Sequence, residues 1–461
     1  MKEYNVKYIL AISMVSALGG LLFGYDWVVI GGAKPFYEKF FGIATSPFLQ
    51  GWAMSSALIG CLLGAVTSGL FSDRLGRKRL LIFSSFLFTL SAIGTGTVNG
   101  FGMFLFFRIL GGVGIGLASN LSPMYIAEIS PAPVRGKYVS LNQLTIVIGI
   151  LLAQLVNWQI AEPVPPGATD AEILASWNGQ LGWRWMFWAE TVPASLFFLL
   201  MFFVPESPRW LAKNGNEQEV KRILGRIGGS GYAAREYTNI RETLNTENGR
   251  VNFHHLLEPG MKKIILVGVV LAAFQQWCGI NVIFNYAEEV FEAAGYDVSD
   301  ILFNIVITGS VNLVFTFVAL FTVDRLGRRA LMLMGAAGLT GIYALMGGAY
   351  YFQVTGWPLL LLVVTAIACY AMSLAPVTWV VLSEIFPNRI RGAAMAVATV
   401  SLWLASFLLA YTFPLLHTVL RASGTFWLYG IICLAGFVFI YRRLPETRGK
   451  SLEEIEHELI K

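Results

Sequence analysis

The chain has 461 residues, of which 56% are hydrophobic and 13% charged, and a net charge of +5 at neutral pH. Soluble proteins carry roughly twice that share of charge, about 25%, so the composition excludes a soluble domain and points to an all-α membrane protein. The positive balance is no argument for nucleic acid, because topology accounts for it, as shown next.

Charge-free windows run from Phe40 to Ser72, Leu80 to Phe107, Tyr138 to Ala161, Ile301 to Val323, Ala330 to Ser383 and Ala393 to Leu420. A spanning helix needs about 20 apolar residues, since every backbone amide must be satisfied inside the span. Turn signals at Asn99-Gly100 and Gly356-Trp357-Pro358 divide the longest windows. Twelve transmembrane helices are therefore expected, near 8–32, 49–72, 80–98, 103–126, 138–161 and 184–204, then 263–287, 301–323, 330–352, 358–386, 393–416 and 424–443. The first apolar segment is too long for a signal-peptide core and has no convincing cleavage site, so it counts as helix one.

Of the 33 basic residues, all but Lys34, Lys39, Arg108, Arg184 and Arg421 fall on one side of this layout. The positive-inside rule makes that side cytoplasmic and places both termini there. The four cysteines (Cys61, Cys278, Cys369 and Cys433) lie within spans, which suits free thiols better than a disulfide framework. The polar stretch between the sixth and seventh spans is expected to form short cytoplasmic helices, for example 216–226. Leu452, Ile455 and Leu459 would give the tail an amphipathic face. Plain linkers are the simpler alternative for both.

Few ionisable residues are expected at membrane depth, where each costs about 2.5 to 3.5 kcal/mol on insertion scales and is a functional candidate. Asp26 follows Phe23-Gly24-Tyr25 in helix one, and Arg108 sits near the start of helix four. A carboxylate that can approach a fixed cation changes its proton affinity with the distance, so this pair can couple protons to conformation. A static ion pair between two helices is the plainer alternative.

Further along, Gln275-Gln276-Trp277-Cys278-Gly279-Ile280-Asn281 interrupts helix seven with neutral amides and a glycine. Amides both donate and accept, as sugar hydroxyls do. Gln143, Asn285 and Asn312 add to the supply, although a lone Asn in a span more often bonds a neighbouring helix. Pro376 is expected to kink helix ten beside Trp379, and Trp403 lies in helix eleven. An indole ring suits the apolar face of a pyranose.

Two motifs carry no site. Gly112-Val113-Gly114-Ile115-Gly116 lies in an apolar helix with no strand before it, so it reads as close helix packing rather than a dinucleotide loop. His254-His255 has no ligand framework around it. No metal or cofactor is expected, and no nucleophile or phosphate-binding constellation suggests an enzyme.

The chain also repeats itself. Asp73-Arg74-Leu75-Gly76-Arg77-Lys78 returns as Asp324-Arg325-Leu326-Gly327-Arg328-Arg329. Glu128 and Arg135 are echoed by Glu384 and Arg391, and Pro205-Glu206-Ser207 by Pro445-Glu446-Thr447, in the same order about 250 residues apart. Such order implies a duplicated half. The expected units are an N-terminal half (1–206), a cytoplasmic linker (207–262), a C-terminal half (263–443) and a tail (444–461). The repeated charges lie on cytoplasmic turns and helix ends, where they can lock the cytoplasmic ends in one state and part in another.

With these motifs assembled, the chain resembles the sugar porter family of the major facilitator superfamily. Among its members it looks most like the bacterial proton-coupled xylose symporters, matching at Ser122 to Glu128, Pro205 to Trp210, Gln275 to Asn281, Leu382 to Pro387 and Pro445 to Gly449. The resemblance implies the major facilitator fold and a central sugar site drawing on Gln143, Gln275, Gln276, Asn281, Asn312, Trp379 and Trp403. It also implies a proton site at Asp26, modulated by Arg108.

Asn285 stands where those symporters usually have Tyr, Leu402 where Gln or Asn precedes the tryptophan, and Ala375 where Gly precedes the proline. Ile150 and Phe284 look more like the glucose carriers. Pentose and hexose both stay open. The expected function is import of a monosaccharide with protons by alternating access, in the cell membrane, with the chain able to act as a monomer. A proton-independent facilitator, a polyol symporter and a non-transporting sugar sensor are the alternatives.

Overall fold

The structure is a computed structural model and describes residues 4–246, 258, 260–387 and 391–448. Within these, α1 (Val6–Phe40), α2 (Pro47–Leu75), α3 (Arg77–Thr97), α4 (Phe101–Ile129) and α5 (Arg135–Ile160) are the first five spans. The short α6 (Asp170–Ala175) precedes a sixth span made of α7 (Trp183–Ala189) and α8 (Thr191–Met201). The linker holds α9 (Pro208–Lys213) and α10 (Glu217–Thr246). Next come α11 (Met261–Trp277), α12 (Ile280–Asn285) and α13 (Ala287–Glu292), then α14 (Val298–Leu326) and α15 (Arg328–Tyr351). The chain closes with α16 (Trp357–Ala371), α17 (Leu374–Ile385) and α18 (Arg391–Arg443).

Among the described residues, ten helical segments are long and apolar enough to cross a membrane. The divided α7–α8 pair adds a span, and α18 is two helices joined at Arg421, whose φ of 57° breaks the run. Twelve spans result, as the hydropathy pattern predicts.

Two boundaries differ from expectation in a way that matters. Helix one continues to Phe40 rather than stopping near 32, because nothing in Gly31 to Phe40 breaks it except Pro35, which is tolerated inside. The break in helix ten falls at Met372–Ser373, before Pro376 instead of at it. The proline then sits in the first turn of α17, where its missing N–H is no loss.

In a membrane the hydrophobic effect does not press helices together, so small residues that allow backbone contact do. At Gly112 an added Cβ would collide with the Ala57 carbonyl oxygen, and at Gly116 with that of Cys61. The glycine run of α4 is thus the contact that seats it on α2. The four cysteines are free.

The duplicated hexapeptide has duplicated geometry. Gly76 and Gly327 both take positive φ, 92° and 91°, which admits the sharp turn from α2 into α3 and from α14 into α15. The Glu206 carboxylate accepts the Arg77 and Lys78 amide N–H groups at 3.1 and 3.0 Å. Glu446 accepts those of Arg328 and Arg329 at 2.9 and 3.1 Å. Each carboxylate satisfies free amides at the positive end of a helix.

The linker packs Ile223, Leu224 and Ile227 against Ile9 and Ile126 of the first half. The Asn5 amide donates to the Ile227 carbonyl at 2.7 Å. These contacts define a linker face, opposite an outer face that carries the far end of α1. His254, His255 and the amphipathic stretch of the tail lie outside the described residues.

Candidate functional site

Asp26 and Arg108 are each 2% exposed, and the guanidinium Nη1 is paired with Asp26 Oδ1. Asp26 lies on α1 beside Gly111 of α4, where a Cβ would come within 3.0 Å of its Oδ2. That oxygen and Arg108 Nε have no hydrogen-bond partner among the described residues. The Arg108 guanidinium also lies 5.7 Å from the Phe187 ring centroid.

A third ionisable group joins them that the sequence reading missed. Glu190, 2% exposed, sits where α7 passes into α8, close enough to interact electrostatically with both Asp26 and Arg108. Its Oε1 is also without a hydrogen-bond partner among the described residues. The site therefore holds two carboxylates and one cation, all buried. The signal was present, since Glu190 is a carboxylate inside an expected span.

Across the molecule, Gly279 takes φ +86° and ends the regular path of helix seven, so that α12 restarts at Ile280. The break turns the amides toward one another. Asn281 Nδ2 donates to Gln276 Oε1 at 2.6 Å, and Gln276 Nε2 donates to Gln275 Oε1 at 2.9 Å. Asn281, Asn285, Tyr286 and Ser406 border a cleft too narrow in this state to admit a water molecule. The Asn285 Oδ1 and Trp403 Nε1 atoms are buried without hydrogen-bond partners among the described residues. Trp403 packs against Phe23 and Trp27, with ring centroids 5.9 and 6.1 Å apart, and so faces the segment that carries Asp26. Asn312 is buried on α14, which packs against α5, where Gln143 is half-buried. Trp379 is 38% exposed on α17.

Residues 12–459 match the family model described as "Sugar (and other) transporter". The chain belongs to this family of sugar transporters. The D-xylose-proton symporter of Escherichia coli strain K12 is 40% identical, over 98% of this chain and 96% of that protein. The arabinose-proton symporter of Bacillus subtilis strain 168 is 36% identical, over 100% of this chain and 97% of that one. The solved inward open conformation of the xylose transporter XylE from E. coli superposes with a TM-score of 0.85 at 38% identity, covering 98% of this chain and 100% of XylE. The fold of this sugar transporter is thus the twelve-helix major facilitator architecture.

The repeated charges of the sugar transporter gather within each half. Arg77 pairs with Asp73 at 3.0 Å and with Glu128 at 3.0 Å, and Lys213 of the linker adds a second bond to Asp73 at 2.8 Å. In the second half Arg328 pairs with Glu384 at 3.2 Å, and Thr447 donates to Glu384 at 2.6 Å. Arg74, Arg135 and Arg325 are exposed. The side chains of Asp324 and Arg391 lie outside the described residues.

The described polar side-chain contacts that join the halves lie on the outer face. Lys34 meets Glu288 and Glu289 there, and Ser299 accepts the Val164 amide at 2.9 Å. The halves are therefore joined on the face opposite the linker, and the described linker-face ion pairs lie inside each half or between the first half and the linker.

Proposed function

We propose that this protein imports a monosaccharide, a pentose or a hexose, together with protons by alternating access. It would do so as a monomer in the cell membrane, with both termini and the linker face cytoplasmic. The observation that carries the reading is the buried Asp26, Arg108 and Glu190 constellation, linked through the Phe23, Trp27 and Trp403 contact to the half that holds the amide chain. Arg108 can answer one carboxylate fully and two only in part. A shift of α1 against α4 therefore changes how much charge the site can hold, and with it the number of protons bound.

The amides supply the other partner. Gln275, Gln276 and Asn281 bond one another in this state, and Asn285 Oδ1 and Trp403 Nε1 are left over. Sugar hydroxyls can take these positions by exchange, each donating to one atom and accepting from another. The two curated relatives are named as proton symporters of pentoses. The departures at Ile150, Phe284, Asn285 and Leu402 keep hexoses in the substrate class.

Proteoliposomes with an imposed pH gradient test the reading. The unmodified protein should accumulate sugar against its gradient, and Asp26→Asn, which imitates the protonated state, should exchange sugar without accumulating it. Accumulation by the variant would remove Asp26 from the coupling. Failure of the unmodified protein to accumulate any sugar in a hexose, pentose and polyol panel would make the chain a facilitator.

A further inference from the structure

Because α1 runs on to Phe40, it carries three charged side chains to the outer face, Lys34, Glu38 and Lys39, the first two of them one turn apart. Lys34 is only 3% exposed, and its Nζ lies 3.1 Å from Glu38 Oε1, 3.0 Å from Glu288 Oε2 and 2.8 Å from Glu289 Oε1. Glu38 belongs to the first half, whereas Glu288 and Glu289 belong to α13, beyond the outer end of the seventh span. The lysine therefore bridges the halves on the outer face.

One cation stands here among three carboxylates. Gln50 of α2 donates to Glu38 Oε2 at 2.8 Å, but it is neutral and offsets no charge. Glu38 Oε1 and Glu289 Oε2 are buried and lack hydrogen-bond partners among the described residues; Lys34 lies within ion-pairing distance of the former but out of line for a hydrogen bond.

Among the described residues, the surrounding groups add no unpaired lysine or arginine. Tyr37 and Tyr286 are neutral phenols at ordinary pH, and Glu292 adds another acid. Lys39 is held by Asp170 at 3.5 Å, Arg108 by Asp26, and His417 of α18 is a half-buried imidazole. Carboxylates that share a dry site with too little positive charge keep a proton. Burial pushes the Glu289 carboxyl up to about 7, even with Lys34 pulling it down.

We propose that Lys34, Glu38, Glu288 and Glu289 form a proton-binding latch on the outer face, which takes up one proton from the external medium when the halves close over it and returns it when they part. The step is simple protonation: an O–H bond forms on one carboxylate oxygen, and no electron or leaving group moves. When the latch opens, Glu288 and Glu289 move away with the second half into water, where a glutamate carboxyl titrates near its ordinary value of about 4.3. Between that value and about 7 the closed state binds more protons than the open one. Raising the pH through that window therefore disfavours closure, and the effect levels off above it. The proton returns to the side it came from, so the latch sets which face is open rather than carrying cargo.

The proposal rests on alternating access but on neither the sugar nor Asp26. The test therefore uses the full chain in lipid nanodiscs without sugar. Spin labels replace Thr45, in the α1–α2 loop, and Thr355, in the α15–α16 loop, both exposed on the outer face. Cys369, the least buried native thiol, is changed to Ala. Pulsed electron resonance then gives the populations of short (closed) and long (open) distances. Raising the pH from 6 to 8 should lower the closed-to-open ratio roughly tenfold, as expected for one proton released across a transition near 7.

Glu289→Gln should hold the ratio high at pH 8 and remove most of its pH dependence, and Glu288→Gln should act in the same direction if the first variant folds poorly. Asp26→Asn should leave the dependence in place. A ratio insensitive to pH in the unmodified protein, or a dependence that survives both glutamine variants and vanishes in Asp26→Asn, overturns the latch. A single distance under every condition overturns alternating access with it.

Discussion

At the scale of single residues, the decisive feature is that charge is present where lipid and packing leave no water to stabilise it. Arg108 faces Asp26 directly and Glu190 at longer range. Removing the cation leaves buried carboxylates unanswered, which costs about 3 to 5 kcal/mol in comparable pairs. Arg108→Leu should therefore lower the melting temperature sharply in detergent. Adding Asp26→Asn should recover part of the loss, since the two changes share one interaction; a double variant no more stable than the single would show that Arg108 acts elsewhere. Gln276 offers the corresponding test for sugar. Gln276→Ala leaves a hydroxyl without its partner, at about 1 to 3 kcal/mol, so calorimetry should show roughly tenfold or weaker binding with folding preserved.

At the scale of elements, backbone conformation at a few glycines controls how helices meet and where they break. Gly112 allows α4 to touch α2, and its Cβ would collide with a backbone carbonyl that has no rotamer to change. Gly112→Ala should thus cost about 1 to 3 kcal/mol through overpacking. Gly100→Ala, where nothing lies within 4 Å, should leave thermal unfolding nearly unchanged. Equal melting temperatures for the two variants would mean that the α2–α4 seam relaxes freely. Gly279 acts differently, by ending α11 and letting the amide chain form on both sides of the break. That break was legible in the sequence because Gln275 to Asn281 places glycine and amides together. The extension of α1 was not legible, because Lys34 and Glu38 look like ordinary loop charges until their partners are known.

At the scale of the whole molecule, duplication gives two halves that carry the same turn and the same carboxylate clasp. Glu206 satisfies helix amides of the first half, and Glu446, at the start of the tail, satisfies those of the second. The repeated charges were expected to lock the linker-face ends in one state and part in another, and the described pairs here lie within each half or between the first half and the linker. Glu206→Gln and Glu446→Gln should therefore lower thermal stability by similar amounts, and the double variant should show their sum, since the sites share no partner. A strong departure from additivity would indicate coupling through the other conformation.

The amino-acid sequence by itself determined the helical membrane class, the twelve spans and the repeated motifs, and it supplied the candidate site residues. Each of these rests on local or periodic properties, such as apolar length, charge bias, repeated motifs, and an acid or amide where lipid should be. Tertiary structure decided which charges meet. Glu190 lies 164 positions from Asp26 in the chain, and Lys34 finds Glu288 across a separation of 254 residues. A partner that distant leaves no local trace, because its identity depends on which helices pack side by side and which face of the protein is closed.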